Sequence, residues 1–314
     1  MSLCDWSSDV CSSDLIDCDP GCDDTAALLL AFQCPELDIR AITTVSGNVS
    51  LDKTTYNALR VTEAIGASVP VHAGADRPMF REPVYAPHVH GEDGLHGIQL
   101  PAPKKAVSGV HAWDAIYQEA VAQKGELELI AVGPLTNLGI ALGKYSDLAK
   151  RIKRIVIMGG AAQGGNVTPC AEFNIYVDPE AADMVFRAGI PLCVCGLDVT
   201  LKAYLTAGEI KAIQALGTPQ AALFAAVTEN NCEKVFCPAG APLHDPAAVL
   251  FAADDSLFTA QRCWMGVETQ GTITRGKTVT DCWSDAQKEA NVELVLDVDR
   301  ERFAARIKEL MAGY

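Results

Sequence analysis

Short runs rich in Ile, Val and Leu recur along this chain, separated by segments of helical spacing, and that alternation limits the folds open to it more than any other feature. Residues 39–45, 128–132, 154–158 and 192–196 read as buried strands. Residues 24–33, 53–65, 112–123, 135–144 and 179–188 read as helices between them. A strand followed by a helix, repeated, predicts an α/β fold: a doubly wound, mainly parallel sheet with helices on both faces. Ligands of such a sheet collect at the C-terminal ends of its strands. No Ser/Gly linker and no solenoid-type repeat divides residues 15–314, so a single domain is expected. The last third is less regular. It reads as a helix at 218–231, a Pro/Gly-rich turn at 238–242, a helix starting near Asp245, β structure at 263–279 and a closing amphipathic helix at 299–311.

Residues 1–14, MSLCDWSSDVCSSD, stand apart. They are rich in Ser and Asp and lack the apolar run of a buried parallel strand, which leaves only Leu15 and Ile16 for that part. The segment reads as a tail or an artefactual replacement of a natural first strand, and it is given no functional role. Losing strand pairing there would weaken whatever hangs from the strand's end.

The net charge of −15, with no long run of Lys or Arg, argues against nucleic acid or an anionic membrane as a partner. Nothing approaches the roughly 18 consecutive apolar residues of a membrane span, and no signal sequence opens the chain, so a cytoplasmic protein is expected. Of 12 cysteines, Cys18, Cys22, Cys34, Cys170, Cys193 and Cys195 lie in or beside apolar runs without CxxC spacing. They read as reduced, buried thiols.

After Ile16 comes DCDPGCDD, which puts Asp17, Asp19, Asp23 and Asp24 at a strand-to-helix junction. One acid there is an ordinary helix cap, but four repel one another unless a hard cation neutralises them. An EF-hand loop is excluded by spacing: the glycine falls one position early, and Leu28 stands where the closing Glu belongs.

With this motif the chain resembles the nucleoside hydrolase family, whose first strand ends in Asp-x-Asp-Pro-Gly-x-Asp-Asp. Further segments match in the same order: VSGNVS at 45–50, HGEDGL at 90–95, AVGPLTN at 131–137, MGG at 158–160, GNVTPCAEFNIYVDPEAA at 165–182, GLDVT at 196–200 and PLHDPAAV at 242–249. The resemblance implies a nucleoside-hydrolase-like fold and hydrolysis of the N-glycosidic bond of ribonucleosides. Its implied cofactor is Ca2+, bound by Asp19, Asp24, Asp245 and the Val132 carbonyl. It assigns substrate binding to Asp23, Asn48, Met158, Asn166, Glu172, Phe173 and Asn174. Asp19 would be the general base, and His244 would assist the departing base. His90 is placed on a loop near it. The partner is then a small ribonucleoside, in a homodimer or homotetramer.

Several of these residues have plainer readings. Asn48 and Asn166 follow glycines and suit turns, and Asp245 before Pro246 suits a helix cap. Glu172 and Asn174 read as alternate residues of an extended segment, facing a pocket while Phe173 faces away. The polar stretch 228–236 leaves the base preference open, with a slight lean to pyrimidines. A phosphatase of the haloacid dehalogenase type also places Asp-x-Asp after its first strand, but it needs a GDxxxD-like motif that this chain lacks. A nucleoside- or calcium-binding protein without turnover is the remaining alternative.

Overall fold

In a computed structural model, residues 12–230, 237–282 and 288–313 are described. The strands are β1 (Ser12–Cys18), β2 (Leu37–Thr44), β3 (Val71–Ala73), β4 (Leu127–Ala131), β5 (Ile152–Met158), β6 (Leu192–Cys195), β7 (Tyr204–Leu205), β8 (Ala241–Pro242), β9 (Phe258–Val267), β10 (Thr278–Asp281) and β11 (Val292–Val298). Nine of them form one sheet in the order β10-β9-β11-β6-β5-β4-β1-β2-β3, and β7 and β8 pair separately. From β3 to β11 every pairing is parallel, while β9 runs antiparallel to both β11 and β10.

The chain leaves β1 outward to β2 and β3, then returns to the other side of β1 for β4, β5 and β6. The direction of winding therefore reverses between β1 and β4, and such a switch point opens a crevice at the C-terminal strand ends. Asp17 and Asp19 at the end of β1, and Val132 after β4, stand at that crevice.

Successive side chains of a strand face opposite sides of the sheet, and the core divides accordingly. Ile16, Ile42, Ile130 and Val156 point to one layer, which includes Leu28 and Leu29 of α1 (Cys22–Ala31). Leu15, Ala41, Leu129 and Ile155 point to the other, which holds Ile116 and Leu138. The helices continue as α2 (Leu51–Ala64), α3 (Pro87–His90), α4 (Ala112–Ala122), α5 (Thr136–Lys144), α6 (Phe173–Val177), α7 (Pro179–Phe186), α8 (Leu197–Thr200), α9 (Ala207–Gln214), α10 (Pro219–Asn230), α11 (His244–Ala253) and α12 (Arg300–Ala312).

Expected and observed elements agree within a few residues through the first two thirds. The first strand does not begin where expected. It starts at Ser12, and Ser12, Ser13 and Asp14 pair with Leu37, Asp38 and Ile39. Asp14 is buried, and its Oδ2 accepts a hydrogen bond from the Asp38 N–H (2.9 Å) beside a register shift, so a carboxylate substitutes for ladder bonding. A second correction falls at 263–279, where the β structure is a hairpin of β9 and β10. Residues 268–277 form its connection, fixed by Glu268 accepting from the N–H groups of Gln270 and Gly271. Cys18, Cys22, Cys34, Cys193 and Cys195 are free and buried, whereas Cys170 is only half-buried. No described helix is long and apolar enough to cross a membrane.

Candidate active site

The turn after β1 is tied together by Asp24, in the first turn of α1. Asp24 Oδ1 accepts from the Asp19 N–H (2.9 Å), and Oδ2 accepts from the Gly21 N–H (2.9 Å) and Asn48 Nδ2 (3.0 Å). A carboxylate at a helix N-terminus is stabilised by the helix dipole, but here it has company. Carboxylate oxygens of Asp23, Asp24 and Asp245 lie within 4.8 Å of one another. Asp19 is fully buried beside them; its Oδ2 accepts from the Asn48 N–H (2.6 Å), and its Oδ1 has no hydrogen-bond partner among the described residues.

Two glycines make room for Asp19. A Cβ on Gly47 would come within 2.1 Å of Asp19 Oδ2, and one on Gly133 within 2.6 Å of Oδ1. The glycines of VSGNVS and AVGPLTN are thus explained by space.

Crowded, desolvated carboxylates resist ionisation. Burial, then repulsion from Asp23, lifts Asp24 from 3.8 to about 6. Burial and the Asp24 charge push Asp19 well above the usual carboxylate range, and burial with Asp23, Asp24 and Asp19 does the same to Asp245. A buried acceptor without a donor and mutually repelling carboxylates fit a hard cation that prefers oxygen ligands. The donor set can therefore hold a metal ion. Of the expected ligands, Asp24 and Asp245 belong to the close trio and Asp19 borders it; Asp23, expected to bind sugar, is the third member. The Val132 carbonyl accepts from Asn174 Nδ2 (2.8 Å), which leaves one lone pair for a further partner.

Above this floor opens a cavity of about 320 Å³. Asp23, Asn48, Met158, Asn166, Glu172, Phe173 and Asn174 all line it, as do Val132, His90, His244 and Asp245, while Asp19 and Asp24 lie beneath. The fold thus gathers residues from eight separate stretches of sequence.

The segment around Glu172 corrects the sequence reading. It is not extended: Phe173–Val177 is a short helix, α6, with Glu172 as its N-cap. The Glu172 carboxylate accepts from the backbone N–H groups of Gly160 (2.9 Å), Asn174 (3.0 Å) and Ile175 (3.2 Å). Because the backbone turns from extended at the Glu172 cap to helical at Phe173, the strict alternation of a strand is lost, and Phe173 lines the cavity together with Glu172 and Asn174. Burial raises the Glu172 carboxyl despite these three bonds. Asn166 Oδ1 accepts from the Phe173 N–H (2.9 Å), which fixes the orientation of its amide.

His244, in the first turn of α11, is buried, and its Nδ1 lies 2.7 Å from Thr200 Oγ1. Thr200 closes the GLDVT segment, a role that no local pattern disclosed. His90 ends α3, and its Nδ1 accepts from the Cys22 N–H (3.3 Å) and lies 3.7 Å from Asp23 Oδ1. Sequence reading also missed Val84, Tyr85, Ala86, His88 and Val89, which form one wall of the cavity. They come from the irregular stretch between β3 and α3, where only the local concentration of His, Tyr and Pro offered a signal. Of the polar stretch 228–236, which left the base preference open, residues 231–236 lie outside the described residues.

The family model described as inosine-uridine preferring nucleoside hydrolase matches residues 15–305. A pyrimidine-specific ribonucleoside hydrolase RihA of Photobacterium profundum is 42% identical over 305 residues, covering 96% of this chain and 98% of that protein. Among solved structures, a purine-preferring ribonucleoside hydrolase from Gardnerella vaginalis superposes with a TM-score of 0.89 at 32% identity, covering 96% of this chain and 98% of that one. A plant nucleoside hydrolase gives 0.88 at 34% identity, covering 97% and 100%. A match across nearly the whole described domain, on a fold and a site of this form, places the chain in the inosine-uridine preferring nucleoside hydrolase family.

Proposed function

We propose that the protein hydrolyses ribonucleosides to ribose and free base, with pyrimidine nucleosides as its preferred substrates and Ca2+ as its metal. The observation that carries this reading is the cavity itself. The carboxylates of Asp23, Glu172 and Asp245 and the side-chain amides of Asn48 and Asn174 line one space together with His244. Such a lining suits the hydroxyls of a ribose, whose burial without partners would cost about 1–3 kcal/mol each.

Cleavage at C1′ passes through an oxocarbenium-like state. It calls for a deprotonated water, negative charge beside the sugar and help for the departing base. Asp19, Asp24, Asp245 and the Val132 carbonyl would hold the ion, with Asp23 close enough to join them. Bound there, calcium supplies positive charge that makes a neighbouring water more acidic. Asp19 would take the water's proton through a carboxylate oxygen that the ion does not occupy. The remaining carboxylates would stabilise positive charge on the ring. His244, held by Thr200 on Nδ1, would give a proton or hydrogen bond to the leaving base. His90 would act from its place beside Asp23.

Pyrimidine preference is supported by the RihA relatives, named pyrimidine-specific and 42% identical. The purine-preferring relative is more distant, at 32%. A cytoplasmic homodimer or homotetramer completes the reading. Its test is a panel of uridine, cytidine, inosine and adenosine, followed by release of ribose. Faster release from uridine and cytidine supports the reading; equal or faster release from inosine contradicts the pyrimidine preference, and no release from any contradicts the reaction.

A further inference from the structure

We propose that Asn57, a residue of α2 outside the cavity, is a positioning residue that fixes the His90 loop against the carboxylate turn and so sets the placement of the His90 ring. The inference rests on the hydrolase reading for its catalytic meaning, although the geometry stands by itself.

Asn57 is buried, with 1% of its surface exposed. Its single Nδ2 donates two hydrogen bonds, one to the Pro20 carbonyl (3.0 Å) and one to the Asp93 carbonyl (2.9 Å). Its Oδ1 accepts from Arg60 Nη2 (2.7 Å). Pro20 lies in the turn between Asp19 and Asp23, and Asp93 lies three residues beyond His90. One amide nitrogen thus joins the two walls of the site. Of the uncharged side chains, only an amide offers two donors from one atom together with an acceptor for Arg60.

The loop it holds is stiff within itself. The Asp93 carboxylate accepts from the N–H groups of Leu95 (3.0 Å) and Gly97 (3.1 Å). Gly94 adopts φ +83°, and a Cβ there would lie 2.8 Å from Asn57 Nδ2 and 3.2 Å from the Pro20 carbonyl oxygen. The glycine of HGEDGL is therefore required both by its backbone conformation and by the closeness of Asn57. Cys22 Sγ reaches the Gly94 carbonyl (3.8 Å), and the Cys22 N–H reaches His90 Nδ1. A loop that is rigid internally and docked at this point moves as a unit if the dock is lost. A displacement near 1 Å is enough to impair a catalytic group.

The test uses the full chain with Asn57→Asp, which turns the donor into an acceptor facing two carbonyls, and Asn57→Ala, which removes both donors without adding charge. Should the Asp variant fail to fold, the Ala variant answers the question. Two readouts apply. The first is the NMR resonance of the His90 ring, together with hydrogen exchange of the Cys22 amide, which donates to that ring. Both change in the variants, exchange rising by about tenfold or more, while the Leu95 and Gly97 amides, held within the loop by Asp93, keep their protection. Unchanged ring and Cys22 signals overturn the proposal, whether or not the protein turns over any nucleoside. The second is a double-mutant cycle with His90→Ala on uridine hydrolysis. Asn57 substitution lowers kcat/KM about tenfold in the parent and less than about twofold when His90 is already absent. Equal losses in both backgrounds show a role independent of His90 and overturn the proposal. A parent protein inactive on every ribonucleoside retires the hydrolase reading and leaves the positioning claim to the first readout.

Discussion

Replacing Asp17 with Asn should change the way stability depends on pH, by an amount the structure allows to be worked out. The Asp17 carboxylate is fully buried; its Oδ1 accepts from Thr43 Oγ1 (2.5 Å) and Asn137 Nδ2 (2.7 Å), and its Oδ2 has no hydrogen-bond partner among the described residues. Burial outweighs the two bonds and lifts its pKa from 3.8 to about 7. A carboxyl whose pKa is higher folded than unfolded favours the fold while protonated. That contribution is complete below 3.8 and is lost as pH rises through about 7. At 1.36 kcal/mol per pH unit, the loss amounts to about 4 kcal/mol between pH 4 and 8. An amide accepts the same two bonds through its oxygen and does not titrate. Its extra N–H group adds an offset, but one independent of pH. Urea unfolding of both proteins in the presence of a chelator, from pH 4 to 8, should show Asp17→Asn gaining on the parent by about 4 kcal/mol across the range. Contributions from the other carboxylates cancel in the difference. Parallel profiles would mean that Asp17 carries no burial penalty.

His244→Ala should lower kcat on uridine by about 10²- to 10⁴-fold with a smaller change in KM, the signature of a lost general acid; steady-state kinetics with unchanged kcat would remove His244 from the chemistry. Gly133→Ala drives a methyl into Asp19 Oδ1 and should weaken calcium binding by about tenfold or more on calorimetric titration; unaltered affinity would mean that Asp19 does not help to hold the ion. Glu172→Ala removes an N-cap and the acceptor of three buried N–H groups. It should cost about 3 kcal/mol in chemical denaturation, and a loss near zero would show that other acceptors replace it.

The parallel sheet was legible in the sequence because its strands are buried on both faces and so appear as continuous apolar runs. The acidic turn was equally legible, since four neighbouring carboxylates have few ordinary explanations. What escaped was governed by tertiary contacts. Ser12, Ser13 and Asp14 look unsuited to a central strand, yet Asp14 meets the Asp38 N–H across a register shift that no periodicity encodes. Glu172 looked like one member of an alternating segment because capping is decided by the backbone that follows it, and here that backbone turns into α6. Tyr85 and Val89 join the cavity wall through a segment with no regular spacing. Asn57 sits among the ordinary residues of an amphipathic helix, and its partners, Pro20 and Asp93, lie 37 and 36 residues away along the chain.

The most direct test of the account is a titration: the protein is stripped with a chelator, calcium is returned in measured portions, and uridine hydrolysis is followed after each. Almost no turnover is expected in the stripped protein, with recovery that levels off at one calcium per chain. Full turnover without metal, or none from folded protein loaded with calcium, would contradict a calcium-dependent hydrolase.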